Sequence, residues 1–184
     1  MKVVNLDISH DHGYLLPLGD LHRGDRHLTA RGLAKLKGYL DWTMDRPNAF
    51  VFLMGDILNV ASRTSKTNPF ESTSGDDEYA KAVELFRPYS SRIIGCITGN
   101  HESRMYKDYG FNPLQPFCNE LGIPFCGWSA VLRIRVGKRP SKQAHAGYRQ
   151  LYWGFAHHGN GGGGTLGGAG WSWGPSLPAE GYLL

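Results

Sequence analysis

The sequence has few of the features that mark membrane, secreted or disulfide-bonded proteins. Its apolar runs fall short of the ~18 residues needed to span a bilayer, and residues 1–7 lack the basic start and long apolar stretch of a signal peptide. The three cysteines, Cys96, Cys118 and Cys126, are odd in number and form no CxxC pair, which argues against a disulfide framework or a zinc knuckle. We therefore expect a cytoplasmic protein that does not associate with membranes.

The sequence also lacks a block of basic residues long enough to form a nucleic-acid-binding arm. Its formal net charge is +4, a small basic excess that suits an enzyme acting on phosphorylated substrates but is common in other proteins. Hydrophobic residues make up 41% and charged residues 20%, which is typical of a folded globular protein. A chain of 184 residues is long enough for one domain and too short for two ordinary ones.

Alternating apolar runs and helical stripes predict an α/β fold. The predicted elements are a strand at 13–18, a helix at 29–45, a strand at 49–54, a polar loop at 62–76, a helix at 77–86 and a strand at 92–98. Strands that are hydrophobic on both faces favour a parallel sheet covered by helices. In such a sheet the active site lies at the carboxyl ends of the strands.

The remainder of the chain divides into a structured part and a glycine-rich part. We predict a short helix at 113–121, a strand with one solvated face at 129–136 and an apolar strand at 151–156. Nothing after Gly159 shows strand or helix periodicity, and glycine dominates as far as Gly174. We therefore expect one domain over 1–165 and an irregular tail over 166–184.

Segments with metal-binding side chains follow four of the predicted strands. They are Asp20-Leu21-His22, Gly55-Asp56, Gly99-Asn100-His101-Glu102 and His157-His158. Aspartate, histidine and an asparagine carbonyl suit zinc, manganese or iron, and a glycine before Asp20, Asp56 and Asn100 is expected to let the backbone turn sharply. Each segment alone is weak evidence: Gly-Asp is a common turn, and Asn100 could be a helix N-cap. Their shared placement after apolar strands favours one metal site.

These segments, in this order, resemble the calcineurin-like metallophosphoesterase superfamily, in particular its phage and prophage members. The family pattern is D-x-H, G-D, G-N-H-[ED], a histidine after a strand, and G-H-x-H. The likeness covers the first four blocks, over about residues 13–165, and implies a four-layer α/β/β/α sandwich. No histidine follows His158, so we expect the chain to be truncated before the last block and the sandwich to be incomplete there.

The resemblance also implies a set of metal ligands. They are Asp20 and His22 for one divalent metal ion, Asp56 as the bridge, and Asn100 with either His157 or His158 for the second ion. A histidine directly before glycine is frequent in the family and favours His158, but relatives with a His-His pair use the first histidine, so His157 stays open. The glycines after His158 also resemble an H-G-x-G-G-G stretch of phage enzymes, and they equally suit a linker.

Two further residues are expected to be catalytic because of the resemblance. His101 would contact the phosphate and protonate the leaving oxygen, and Glu102 would orient the site from behind. Asn100 and His101 would both bind the substrate. The role of Asn59 is left open, because many relatives have a different residue there.

The implied function is hydrolysis of a phosphate monoester or diester by a hydroxide that bridges two manganese, zinc or iron ions. The substrate would be a phosphorylated small molecule or a nucleic acid, and the sequence does not indicate an oligomeric state. One alternative is a catalytically impaired phosphoesterase-like binding domain. Another is a nucleic-acid-binding protein. The side chains it would use are equally typical of a solvated hairpin, and they are Arg133, Arg135, Lys138, Arg139, Tyr148 and Trp153.

Overall fold

The computed structural model describes residues 1–25, 28–60, 74–137 and 150–159, and the backbone alone of 170–173. In chain order the elements are β1 (Lys2–Ile8), β2 (Tyr14–Leu18), α1 (Ala30–Met44), β3 (Ala49–Leu53), α2 (Gly75–Phe86), a 3₁₀ helix (Arg87–Arg92), β4 (Ile93–Cys96), α3 (Asn100–Tyr109), α4 (Leu114–Leu121), β5 (Ser129–Val136), β6 (Gln150–His157) and β7 (Gly170–Trp173). They form a mixed α/β fold with two small sheets. In these ranges none of the helices has both the length and the apolar character needed to cross a bilayer.

The first sheet contains three parallel strands in the order β2-β3-β4, which confirms the predicted strand–helix alternation. The central strand β3 is buried on both faces. Val51 and Leu53 lie in a core shared with the helices, whereas Phe52 and Met54 lie in a second core shared with the other sheet. This double burial explains why the strand is a continuous apolar run rather than an alternating one.

The two crossover helices begin at side-chain caps. Thr29 Oγ1 accepts a hydrogen bond from the Gly32 N–H at 3.1 Å at the start of α1, and Ser74 Oγ accepts one from the Asp77 N–H at 3.2 Å at the start of α2. Helix α2 therefore begins at Gly75, inside the segment predicted as a polar loop. Residues 62–73 of that predicted loop lie outside the described residues.

The second sheet has the order β1-β5-β6-β7, with β1 parallel to β5 and the other pairs antiparallel. Strand β1 is absent from the sequence-based prediction, although Val4, Leu6 and Ile8 alternate with exposed residues. Strand β7 forms within the segment that we expected to be irregular, because backbone pairing with β6 does not require side-chain periodicity. The other residues of the predicted tail, and its boundary at residue 165, lie outside the described part.

Two hydrophobic cores lie between the layers of the fold. One lies between the three-stranded sheet and helices α1, α2 and α4, and the other lies between the two sheets. All three cysteines are free and buried. This stacking brings the carboxyl ends of β2, β3 and β4 to the same edge of the molecule as the end of β6, where the predicted ligands follow.

Candidate metal centre

Asp56 lies at the centre of a cluster of metal-binding side chains. Its Oδ2 atom is 3.3 Å from His158 Nε2 and 3.9 Å from His22 Nε2. Two compact groups share this carboxylate, and within each group the potential ligand atoms lie within 4.8 Å of one another. The groups are His22, Asp56 and His101, and Asp20, Asp56 and His158. A carboxylate common to both groups has the geometry expected of a bridging ligand. Asp20 belongs to the group with His158, and its Oδ1 also lies 4.0 Å from His22 Nε2, the other ligand predicted for the same ion.

The loops that carry these side chains are joined by their backbones. Asp20 N donates to Gly55 O at 3.2 Å, and His22 N donates to Asp56 O at 2.9 Å. These bonds continue the parallel β2–β3 pairing beyond the ends of both strands. As a result, the backbones of the loops after β2 and β3 are held side by side, which sets the spacing of Asp20, His22 and Asp56.

Backbone strain is concentrated at the candidate ligands. In the described residues, φ is positive for four non-glycine residues, Asp20 (54°), His22 (45°), Asp56 (51°) and Val60 (43°). Such conformations cost on the order of 1–3 kcal/mol each, and the surrounding structure must enforce them. Three of the four residues are predicted metal ligands, so the strain coincides with the site.

The glycines before the ligands serve two different purposes. Gly55 has φ 84° and so makes the sharp turn that we expected, and a Cβ atom there would lie 2.3 Å from the Gly99 backbone nitrogen. Gly99 has φ −91°, which any residue adopts. It is required instead by close approach, because its Cβ would lie 2.1 Å from Asp56 Oδ1.

Asp56 is buried and ionised. Only 2% of the residue is exposed, and its Oδ1 accepts a hydrogen bond from the His101 N–H at 2.8 Å. Burial raises the pKa of Asp56, but the hydrogen bonds from His158 and His101 outweigh it, so the net pKa is lowered. The carboxylate therefore remains negatively charged in the absence of any metal.

His158, rather than His157, turns towards this cluster. Its Nδ1 donates to the Met54 carbonyl at 2.8 Å, which leaves Nε2 directed at Asp56 and 2.8 Å from Asn100 Oδ1. The hydrogen bond to Asp56 raises the pKa of His158 to about 9, against the effect of burial. The His157 ring lies 5.4 Å from the Phe155 ring, and His157 belongs to neither group of potential ligands.

The Asn100 amide tests whether the cluster suits a cation. When the amide oxygen points into the cluster, Asn100 Oδ1 faces both Asp56 Oδ2 and His158 Nε2, so three atoms that carry lone pairs lie close together. Turned by 180°, the amide nitrogen donates to Asp56 at 2.7 Å and to His158 at 2.8 Å, and the oxygen accepts from Arg104 at 3.3 Å. Without a cation, the repulsion between these lone pairs is relieved either by the turned amide or by a protonated His158. A bound cation would instead be a partner for all three atoms while the amide oxygen points into the cluster.

His101 borders the cluster as a neutral ring. Its Nδ1 donates to the Asn59 carbonyl at 2.6 Å, and its centroid is 4.2 Å from that of His22. Burial lowers the pKa of His101, helped by His22 and Arg104. Among the described residues, the buried His22 Nδ1 and both polar atoms of the Asn59 amide have no hydrogen-bond partner. Unpaired buried polar atoms are uncommon away from functional sites.

Glu102 lies behind the cluster and not in it. It is fully buried; its Oε2 accepts from the Asp56 and Gly99 N–H groups, and its Oε1 accepts from the Leu58 N–H, each at 3.0 Å. Burial raises the pKa of Glu102 to about 7. All three bonds are to backbone N–H groups, so Glu102 positions the Asp56 loop from behind the cluster, and a catalytic role for it stays a prediction.

Glu78 has a similar function that the sequence-based prediction missed. It is buried on α2, and its Oε2 accepts from the Val60 N–H at 2.9 Å, so it holds the other end of the loop after β3. Burial raises its pKa as well. In the sequence, Glu78 looks like one of several acidic residues that favour a helix N-terminus, and nothing in its spacing indicates the contact.

The basic side chains on β5 contact other residues of the fold, although the buried Nε of Arg133 has no hydrogen-bond partner. Arg135 donates to both oxygens of Asp7, at 2.5 and 2.8 Å, and the Arg133 guanidinium lies 5.7 Å from the centroid of the Trp153 ring. The other basic and aromatic residues of the nucleic-acid alternative lie outside the described part of the chain; they are Lys138, Arg139 and Tyr148. Arg133 and Arg135 lie on the outer face of the second sheet, opposite Trp153 and Leu151 on β6, so these contacts do not decide for or against the nucleic-acid alternative.

Comparison with protein-family models, with curated proteins and with solved structures gives no match to this chain.

Proposed function

We propose that this chain is a metallophosphoesterase domain that hydrolyses phosphate monoesters or diesters with two divalent metal ions. The observation that carries the proposal is the convergence of donor atoms from the ends of β2, β3, β4 and β6 on the buried Asp56 carboxylate. The strained backbones of Asp20, His22 and Asp56 support it, because strain of this kind is characteristic of functional sites.

The proposed fold is the four-layer α/β/β/α sandwich. The described residues contribute helices on the three-stranded sheet and the four-stranded sheet packed behind it. On the outer face of the second sheet, Val3, Leu151 and Trp153 are largely exposed. A fourth layer would cover these apolar side chains.

The residues present fit a pair of manganese, zinc or iron ions. Asp56, Asp20, His22, His158 and the Asn100 oxygen are the donors that such ions prefer. The ions would supply Lewis-acid activation of water and neutralise charge on the phosphoryl oxygens. One carboxylate oxygen of Asp56 accepts the hydrogen bond from the His101 N–H, and the other faces both groups of potential metal ligands.

His101 is the proposed residue for proton transfer. Its Nδ1 proton is committed to Asn59, so the neutral ring presents an unprotonated Nε2 to the site. Donating a proton to a leaving oxygen therefore requires the doubly protonated ring. The lowered pKa disfavours that form in the free protein, and the negative charge of a bound phosphate ester favours it.

The experiment pairs metal content with turnover of p-nitrophenyl phosphate and bis(p-nitrophenyl) phosphate after manganese loading. We expect close to two metal ions per chain, and a loss of activity greater than about 100-fold in Asp56→Asn, since the variant loses the shared negative charge. Asp45→Asn is the matched control, because Asp45 is exposed beyond the end of α1. Normal metal content and turnover in Asp56→Asn would overturn the proposal, and so would a wild-type chain without bound metal.

A further inference from the structure

An aromatic cavity opens beside the candidate metal centre. It has a volume of about 360 Å³ and lies between the end of α3, the start of α4 and the segment before β5. We call it the aromatic pocket and define it by Tyr106, Phe111, Gln115, Phe125 and Trp128. Its size falls at the lower end of the range for pockets that bind small organic molecules.

The aromatic rings of this pocket are unusually exposed. Tyr106 and Trp128 are each 50% exposed, and Phe111 is 49% exposed. The Tyr106 and Trp128 rings meet edge to face, with centroids 5.6 Å apart, so they form a corner and not a closed stack. A cluster of large apolar side chains left in water marks a binding surface. The corner leaves ring faces free for a planar group.

Hydrogen bonds to Thr98 connect the aromatic pocket to the segment that leads into the metal centre. Gly127, which lines the pocket, accepts a hydrogen bond through its carbonyl from the Thr98 N–H at 2.8 Å. Asn112, also in the lining, donates to Thr98 Oγ1 at 2.8 Å. Thr98 comes two residues before Asn100 in the chain, so the pocket is anchored directly behind the start of α3.

Strand pairing supplies a second connection. Trp128 precedes Ser129, and Ser129 pairs with His157, the residue before His158. Trp128 and His158 therefore flank the same residue pair at one end of the second sheet. A ligand that contacts both would have its phosphate at the metal centre and its ring in the pocket.

We propose that the aromatic pocket binds a planar aromatic group of the substrate, so that this site acts on phosphate esters of nucleosides or aryl alcohols. The inference rests on the proposed function for the position of the phosphate, but not for the binding of the ring. Stacking on tryptophan and tyrosine tolerates any planar ring. The Gln115 amide, at the pocket wall, gives a heterocycle a polar partner that an aliphatic alcohol would not need.

The first experiment measures binding without catalysis. Adenosine and phenol are titrated against the metal-free full chain, with tryptophan fluorescence and calorimetry as readouts and glycerol as the aliphatic probe. We expect saturable binding of the aromatic probes, weakened about tenfold by Trp128→Leu and by Tyr106→Leu. Trp153→Leu and Tyr39→Leu, at exposed aromatic residues elsewhere, are the matched controls and should bind as the wild type does. Absence of saturable binding would overturn the inference.

The second experiment measures selectivity in the manganese-loaded chain. Turnover of adenosine monophosphate, phenyl phosphate and glycerol phosphate is compared in the wild type and the same variants. We expect Trp128→Leu to raise KM for the two aromatic esters about tenfold and to leave KM for glycerol phosphate unchanged. The aromatic ester that the wild type hydrolyses with the higher kcat/KM shows whether the pocket favours a nucleobase or a phenyl ring. Equal effects on all three esters would overturn the inference while leaving the proposed function intact. Aromatic binding without turnover of any ester would overturn only the proposed function.

Discussion

At the scale of single residues, candidate ligands adopt strained backbone conformations that lower local stability but direct their side chains into the site. Asp20 has φ 54°, yet its side chain is 52% exposed and gains little from burial. An aspartate in this conformation is strained relative to glycine, which adopts positive φ freely. The strain at Asp20 is therefore explained by the direction in which it points a carboxylate and not by packing.

The first prediction separates these two contributions. Asp20→Gly and Asp20→Ala both remove the carboxylate, but only glycine relieves the positive φ. We expect Asp20→Gly to be more stable than Asp20→Ala by about 1 kcal/mol, and both to bind metal more weakly than the wild type. Urea unfolding in the presence of a chelator measures the stability difference. Equal stability of the two variants would show that the backbone is not strained at this position.

The second prediction concerns Glu102, whose two oxygens accept three backbone hydrogen bonds. Glu102→Gln keeps the shape of the side chain but turns an NH₂ group towards at least one of those N–H donors. We expect a loss of about 1–3 kcal/mol in the free energy of unfolding, because a buried donor is left unpaired. Glu84→Gln, on the exposed face of α2, is the control and should change stability by less than about 0.5 kcal/mol. A Glu102→Gln variant as stable as that control would contradict the positioning role.

At the scale of elements, the site depends on close contact between the loop after β3 and the start of α3. The third prediction tests that contact with Gly99→Ala. The new Cβ would lie 2.1 Å from Asp56 Oδ1 and 2.2 Å from Asp56 N, so the loop must shift. We expect a loss of about 1–3 kcal/mol of stability and weaker metal binding, measured by unfolding and by metal titration. In Gly38→Ala, within α1, the added Cβ meets nothing within 4 Å, so this control should be neutral or more stable.

The sequence predicted most of the strands, but it missed β1 and the helix α3 that carries Asn100 and His101. Strands β2, β3 and β4 are short apolar runs followed by polar loops, which is the pattern that a sheet buried on both faces produces. Strand β1 was missed although Val4, Leu6 and Ile8 alternate with Asn5 and Asp7, which is the signal of a strand with one buried face. Its pairing with β5, which joins Lys2 to Ala130, has no local signal.

The choice between His157 and His158 could not have been made from the periodicity of β6. The large apolar residues Leu151, Trp153 and Phe155 alternate in step with His157, but the buried face is that of Gly154 and Ala156, and a period of two continues this face to His158. The positive φ of Asp20 and Asp56, and the contact of Glu78 with Val60, could not have been predicted from the sequence. They depend on how separate loops meet, and not on the residues in each loop.

At the scale of the whole molecule, the candidate ligands come from both sheets. His158 follows the four-stranded sheet, whereas Asp20, Asp56 and Asn100 follow the three-stranded one. A metal ion held by these residues would link two layers that also contact each other through apolar side chains and through the hydrogen bond from His158 to the Met54 carbonyl. Metal binding should then stabilise the whole fold and not only the local loops.

The fourth prediction is a metal-dependent rise in the melting temperature. At a metal concentration of about 100 Kd the stabilisation is about 2.7 kcal/mol, which for a chain of this size raises Tm by about 5–10 °C over the chelated protein. In His158→Ala the metal-induced rise should shrink to less than half, because the ligand from the second sheet is lost. His10→Ala, at an exposed residue after β1, should keep the full rise. If His158→Ala kept it too, the metal would be held by the loops of the first sheet alone and would not link the two layers.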